Sequence, residues 1–132
     1  MKKINRVKDL KLLIDKVMLP TYQYQTNFNS SEFMVDINCK FVISAKPKIL
    51  NDEVIYEFVL DTQFLSNPVI SYDELVMIKK VIEILEKNKT FVLKRLKKYT
   101  VDEYKEEIRI REERSEQMMK SLKLMITSNY RN

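Results

Sequence analysis

Apolar side chains recur at helical spacing near both ends of the chain. In residues 6–19 they return every three or four positions, and Pro20 ends the pattern because proline cannot continue a helix. A second helical pattern spans residues 72–99, with a polar interruption at residues 86–89 that indicates either a kink or a turn. A third spans residues 101–127. The chain is therefore predicted to have one N-terminal helix and two C-terminal helices.

Sequence motifs support the starts of the two C-terminal helices. Ser71 stands three residues before Glu74, and Thr100 stands three residues before Glu103. This spacing matches the capping box, in which the hydroxyl and the carboxylate satisfy backbone N–H groups of the first helical turn. Both sites are therefore predicted to begin a helix.

Between these helices the pattern changes to the alternation typical of strands. Residues 33–44 alternate strictly, which predicts one strand with a single buried face. The inward side chains are Phe33, Val35, Ile37, Cys39, Phe41 and Ile43. Cys39 is accordingly expected to be an inert core residue. Residues 53–64 repeat the alternation, and residues 21–28 form a weaker edge strand of polar and aromatic residues. The inward residues of the 53–64 strand are Val54, Tyr56, Phe58, Leu60 and Phe64.

Turn-forming residues follow each predicted strand. They are Asn29-Ser30-Ser31, Asn51-Asp52 and Ser66-Asn67-Pro68. We therefore predict an α+β fold with an N-terminal helix, a three-stranded antiparallel meander and two C-terminal helices, the last long and charged. Residues 1–132 form a single domain in this prediction. The final helix, residues 100–132, projects from the sheet or pairs with a second copy.

Composition excludes most catalytic equipment. The 132 residues include no Gly and no His, and one Cys. Phosphate-binding glycine loops, His-based catalysis and Cys-rich zinc sites are therefore absent from the sequence. Three carboxylates, Asp36, Glu57 and Asp61, fall on the outer face of the predicted sheet, where they would hold Mg²⁺ or simply be its polar positions. We predict that the protein is not an enzyme and has neither a cofactor nor a bound metal.

The net charge of +5 is unevenly distributed. Residues 1–20 carry +4 and residues 76–100 carry +6, whereas residues 21–75 carry −5 and the remainder is neutral. The densest basic stretch comprises Lys87, Lys89, Lys94, Arg95, Lys97 and Lys98. On a continuous helix, Lys87, Lys94 and Lys98 would share one side and follow a phosphate backbone, with Phe91 and Tyr99 nearby for stacking on bases. The alternative is an ordinary solvated face.

Two further segments suggest interaction surfaces. Met118, Met119 and Met125 lie near the end of the last predicted helix, as an adaptable binding surface or as part of a core or dimer seam. A homodimer through residues 100–127 is therefore expected as an alternative role in assembly. The polar and aromatic residues 21–31 form either a recognition edge or an ordinary edge strand that is polar to resist aggregation.

The cellular location and the origin of the protein are predicted from two features of the sequence: the absence of a signal-peptide pattern at the N-terminus and the overall residue usage. Charges throughout residues 2–16 leave no apolar signal-peptide core, and no stretch approaches the length of a membrane-spanning helix. We therefore expect a cytoplasmic protein with no membrane partner. The abundance of residues with AT-rich codons indicates an AT-rich genome, or a phage or plasmid living in one. For a phage protein the compartment would be the cytoplasm of the host.

The predicted order of helix, three strands and helix resembles the double-stranded RNA-binding domain. Lys79-Lys80 is similar to the basic helix start of that family. The loop with which the family reads RNA contains Gly, Pro and His, whereas this chain has Asn29-Ser30-Ser31, so no binding residue is transferred. Size, composition and order also resemble those of small phage anti-CRISPR proteins. We therefore expect a small, basic, non-catalytic phage or mobile-element protein that engages nucleic acid or a host nucleoprotein, as an inhibitor of a defence nuclease.

Overall fold

The computed structural model describes residue 4 and residues 6–62 and 69–130, with side chains described up to residue 126. The predicted turn Ser66-Asn67-Pro68 and the predicted inward residue Phe64 lie outside the described residues. The helices and strands are α1 (Val7–Val17), β1 (Tyr24–Phe28), β2 (Phe33–Ile37), β3 (Phe41–Leu50), β4 (Glu53–Thr62), α2 (Tyr72–Lys87), α3 (Lys89–Leu93) and α4 (Val101–Tyr130). The α+β class and the N-terminal helix are confirmed, and the last helix begins at residue 101 as predicted and continues to residue 130, beyond the predicted end at residue 127.

The sheet has four antiparallel strands in the order β1-β2-β3-β4, so the prediction of three strands is wrong. The segment predicted as one strand, residues 33–44, divides at Asn38–Lys40 into β2 and β3. Ile37 pairs with Phe41 across this turn. Because directly opposed residues face the same side of a sheet, the alternation of apolar residues continues through the turn without a break. Periodicity alone therefore could not reveal the turn.

Two tight turns use left-handed backbone without glycine. Asn38 and Cys39 both have φ of 54°, and the N–H of Lys40 donates to the carbonyl oxygen of Ile37 over 3.0 Å. Asn51 and Asp52, between β3 and β4, have φ of 51° and 60°. Positive φ at both central residues matches the right-handed twist of hairpin strands. Cys39 is exposed at such a turn, so the prediction that it lies in the core is wrong.

Contacts divide the chain into two compact units, which are described separately. The first comprises residues 1–48 and 55–97 and contains the apolar core; the second comprises residues 49–54 and 98–132. The single-domain expectation stays a prediction. The core is formed by α1, one face of the sheet, α2 and the chain around α3. Its buried side chains are Leu10, Ile14, Phe33, Val35, Ile37, Phe41, Ile43, Ala45, Met77, Ile78, Val81, Leu85, Val92 and Leu96.

The helix predicted over residues 72–99 ends early. Asn88 separates α2 from the short α3, and its side-chain amide donates to the carbonyl oxygen of Ile84 over 2.8 Å. After Leu93 the chain has no helical structure until α4 begins. Within the described residues, three helices rather than two therefore follow the sheet. The structure resolves the predicted kink or turn at residues 86–89 as a break between two helices.

Helix α4 belongs to the second unit. The hydroxyl and carboxylate of the predicted capping box interact: the N–H of Glu103 donates to Oγ1 of Thr100 over 3.2 Å, and that hydroxyl lies 3.0 Å from the Glu103 carboxylate. The middle of the helix is stabilised by ion pairs between neighbouring turns, such as Arg111 with Glu107 at 3.0 Å. Every residue from 111 to 126 is exposed.

One buried carboxylate joins three parts of the first unit. Glu74 is only 4 % exposed and completes the predicted capping box, since its carboxylate accepts from the N–H of Ser71 over 3.1 Å. It also accepts from the hydroxyl of Tyr22, just before β1, over 3.0 Å, and from the ammonium of Lys40, in the β2–β3 turn, over 3.1 Å. The Ser71 N–H contributes most to lowering the pKa of Glu74 from 4.5, burial opposes this, and Lys40 and Tyr22 lower it further, to about 2.

We expect Glu74→Gln to lower the free energy of unfolding by about 2 kcal/mol at neutral pH, because charge-assisted hydrogen bonds are replaced by neutral ones. Because the pKa of Glu74 is lower in the folded protein than in the unfolded chain, its ionised carboxylate stabilises the fold at pH values above the pKa of the unfolded chain. This stabilisation is lost as the pH falls from about 5 towards 2. The difference between wild type and variant in urea titrations should therefore shrink in acid. Asp73→Asn, an exposed change in the same helical turn, is the control. A pH-independent difference would contradict the assignment.

Replacing Cys39 by Gly should raise the free energy of unfolding by a few tenths to about 1 kcal/mol. Glycine removes the steric cost of the left-handed conformation and creates the favoured Asn-Gly turn, although it also increases the entropy of the unfolded chain. Thermal or urea unfolding measures the change. Cys39→Ala keeps the Cβ atom and should show no gain. Equal stability of the two variants would indicate that the turn is not left-handed at this position.

Candidate nucleic-acid interface

The six predicted basic residues lie on three successive segments. Lys87 ends α2, Lys89 begins α3, and Lys94, Arg95 and Lys97 lie on the non-helical segment that follows. All except the half-buried Lys89 are exposed. Lys98 is the first residue of the second unit and is described with that unit only. The structure therefore places five of the six residues on the α2–α3 end of the first unit.

The predicted helical ridge is wrong. Alignment of Lys87, Lys94 and Lys98 on one side required an uninterrupted helix to residue 98, whereas the helical structure ends at Leu93. Val92 and Leu96, which continued the apolar stripe of that helix, are nevertheless both buried in the core. The apolar spacing therefore correctly indicated that Val92 and Leu96 are buried, although the two residues do not belong to one continuous helix.

The non-helical basic segment is fixed to the sheet by its backbone. The N–H of Lys97 donates to the carbonyl oxygen of Ser30, in the β1–β2 turn, over 3.0 Å. The hydroxyl of Tyr56, on β4, donates to the carbonyl oxygen of Lys97 over 2.7 Å. Leu96 inserts into the core between the exposed residues Arg95 and Lys97. These three contacts hold the segment at the end of the sheet, where residues 94–95 form a turn directly after α3.

Aromatic rings lie directly beside this segment. The guanidinium of Arg95 lies 5.1 Å from the ring centroid of Phe28, at the end of β1, in a cation–π contact. The Phe28 ring stacks on Phe91 with centroids 6.0 Å apart. Sequence patterns identified Phe91 but not Phe28, because Phe28 approaches Arg95 only through the packing of β1 on α3. Tyr99, the other predicted stacking residue, contacts Tyr104 within the second unit.

The charges on residues 87–97 favour the binding of an anion. No acidic residue lies between Lys87 and Lys98, and in the described part of the chain Lys87, Lys89, Lys94 and Arg95 make no ion pair. The nearest carboxylate along the β1–β2 turn is that of Glu32, which accepts a hydrogen bond from the Asn27 amide. Exposed cations on an anchored backbone form a surface that can contact phosphate groups.

The candidate magnesium site is not assembled. Asp36 lies on β2, whereas Glu57 and Asp61 lie on β4, and β3 runs between them. Glu57 makes an ion pair with Lys48 at 3.7 Å. Across the described residues, no three His, Cys, Asp or Glu side chains are grouped so as to hold a metal ion.

The polar strand β1 lies at the sheet edge, as predicted, and borders an open groove of about 750 Å³. The groove is lined by the end of α1, residues 22–25, Asp36 and the β2–β3 turn. The hydroxyl of Tyr24 donates to the carboxylate of Asp15 over 2.6 Å; burial and this hydrogen bond raise the pKa of Tyr24. The groove is mixed in character and holds no cluster of cations. It is therefore a weaker candidate for an anionic ligand than residues 87–97.

Comparison with known proteins gives no relative: no family model, curated protein or solved structure matches the chain. The fourth strand also removes the match of element order to the double-stranded RNA-binding domain. None of the helices in the described ranges combines the length and apolar character needed to cross a membrane.

Proposed function

We propose that the chain is a small, non-catalytic binding protein that engages the phosphate backbone of a nucleic acid through residues 87–97. The observation that supports this proposal most directly is the anchored basic segment at residues 94–97. Lys94, Arg95 and Lys97 are exposed cations on this segment, while Leu96 is buried in the core and the backbone of Lys97 is bound to Ser30 and Tyr56. Such a segment loses little conformational entropy on binding, because its backbone is already ordered.

The arrangement favours contacts to phosphate over reading of sequence. Lysine ammonium groups act as point charges on phosphate oxygens, and Arg95 adds a planar group beside the stacked rings of Phe28 and Phe91. An exposed guanidinium next to aromatic rings also suits the stacking of unpaired bases. We therefore expect single-stranded DNA or RNA to bind at least as tightly as duplex DNA.

A role as a competitor follows from the same charges. A protein that covers phosphate groups can occlude a nucleic acid within a host nucleoprotein, including a defence nuclease of a host attacked by phage. The sheet region, which carries net −5 over residues 21–75, would complement a basic protein groove. Inhibition by occlusion needs no catalytic group, in keeping with a sequence that lacks His and glycine loops.

The double variant Lys94→Ala/Arg95→Ala tests the site. Fluorescence anisotropy with a labelled 20-nucleotide single strand should show binding that weakens steeply with salt. Each lost phosphate contact should flatten the slope of log K against log salt by about one unit. We expect the variant to bind about 10- to 100-fold more weakly at 0.1 M salt, with the slope flattened by about two units.

Lys79→Ala/Lys80→Ala is the matched control, since it removes the same charge from exposed positions of α2. It should leave the slope nearly unchanged. Equal losses in the two double variants would show that net charge, not residues 94–97, determines binding. Absence of binding to DNA and RNA at low salt would exclude direct contact with nucleic acid.

A further inference from the structure

The second half of α4 carries an apolar stripe that is open to solvent. Met118, Leu122 and Met125 recur at spacings of four and three residues and are 67 %, 50 % and 63 % exposed. Met119 and Ile126, both more than half exposed, widen the stripe on one side. An amphipathic helix with an exposed apolar face is the form that pairs with another helix in water. This stripe shares no residue with the proposed nucleic-acid interface.

The stripe continues towards the N-terminus of α4 at the same alternating spacing. Ser115, Arg111 and Ile108 occupy the next positions, which gives the seven-residue repeat of a two-helix seam. The small Ser115 allows close approach of a partner helix, whereas Arg111 puts a charge on the seam. The seam is therefore apolar at residues 118–126, small and polar at Ser115, and charged at Arg111. A partner must match each of these parts.

A parallel pair of α4 helices is disfavoured by charge. It would bring the two Arg111 side chains together on the seam. It would also place Glu107 beside Glu112 of the second copy, because flanking residues five apart meet in a parallel pair. Both contacts join like charges; the Arg111 contact lies on the two-fold axis and occurs once, and the Glu107–Glu112 contact occurs twice. The sequence of α4 therefore argues against a parallel dimer.

An antiparallel pair removes these conflicts. With Met118 opposite Leu122 of the second copy, Ser115 lies opposite Met125, and the apolar parts of both helices face each other. Arg111 then lies near the end of the overlap between the two helices, where its guanidinium group reaches water. Glu116 lies on the same flank as Lys123 of the second copy, which supplies opposite charges across the pair. More broadly, residues 101–117 carry net −3 and residues 118–126 carry +2, so opposed helices are complementary.

We propose that α4 pairs with α4 of a second copy of this chain in an antiparallel arrangement centred between Met118 and Leu122. About 20 residues of each helix overlap, which is roughly 30 Å of seam. The pairing is independent of nucleic-acid binding, and its tests need no nucleic acid.

Sedimentation equilibrium tests the use of the stripe. The full-length protein should show twice the mass of the 15.9 kDa chain at high concentration. Leu122→Glu should return it to the monomer mass. Leu124→Glu is the matched control, because Leu124 is 70 % exposed but lies off the stripe, and it should remain dimeric. Circular dichroism should be unchanged in both variants. A monomeric wild type, or equal effects of the two variants, would overturn the proposal.

Disulfide trapping tests the orientation, in a Cys39→Ser background. Mixing Ser115→Cys with Met125→Cys protein should give a mixed disulfide dimer under mild oxidation. Ser115→Cys alone should not cross-link to itself, because the antiparallel arrangement separates the two Cα atoms by about 15 Å. A disulfide needs about 4.4–6.8 Å. Efficient self-linking of Ser115→Cys, without the mixed product, would indicate a parallel pair and contradict the antiparallel arrangement.

Discussion

The buried carboxylate of Glu74 is the contact on which the arrangement of the first unit depends. It joins the start of α2 to Tyr22 at the head of β1 and to Lys40 in the β2–β3 turn. From this fixed point α2 runs for 16 residues, about 24 Å, before Asn88 ends it. The chain then returns to the sheet at the β1–β2 turn, which lies at the other end of β2. The length of α2 therefore determines where the basic segment meets the sheet.

The absence of glycine affects how the sheet is built. Asn38, Cys39, Asn51 and Asp52 adopt left-handed backbone that glycine would adopt at lower cost. Asn and Asp tolerate this conformation better than other residues, which explains their use at three of the four positions. Cys39 is the exception, and the turn leaves its side chain exposed. The residue that the sequence pattern assigned to the core is thus at the surface for reasons of backbone geometry.

Local patterns predicted the helix starts and much of the sheet, but not the contacts that form the candidate site. The hydroxyl and carboxylate spacing at Ser71 and Thr100 identified two helix starts correctly, because capping depends on residues close in sequence. The β2–β3 turn was missed because its register preserves the alternation of apolar residues. The break after Leu93 was missed because Leu96 is buried at helical spacing without being in a helix. The contacts of Ser30 with Lys97 and of Phe28 with Arg95 join residues more than 60 positions apart, and no local pattern reports them.

We have proposed that residues 94–97 form an ordered surface that contacts phosphate. Titration of the ¹⁵N-labelled protein with a short single-stranded oligonucleotide locates the bound surface residue by residue. We expect the largest amide shifts at residues 94–97 and at Ser30, whose carbonyl group binds the backbone of Lys97. Smaller shifts should appear along α3. Shifts confined to residues 22–25 beside the groove, or spread evenly over all exposed lysines, would contradict the claim.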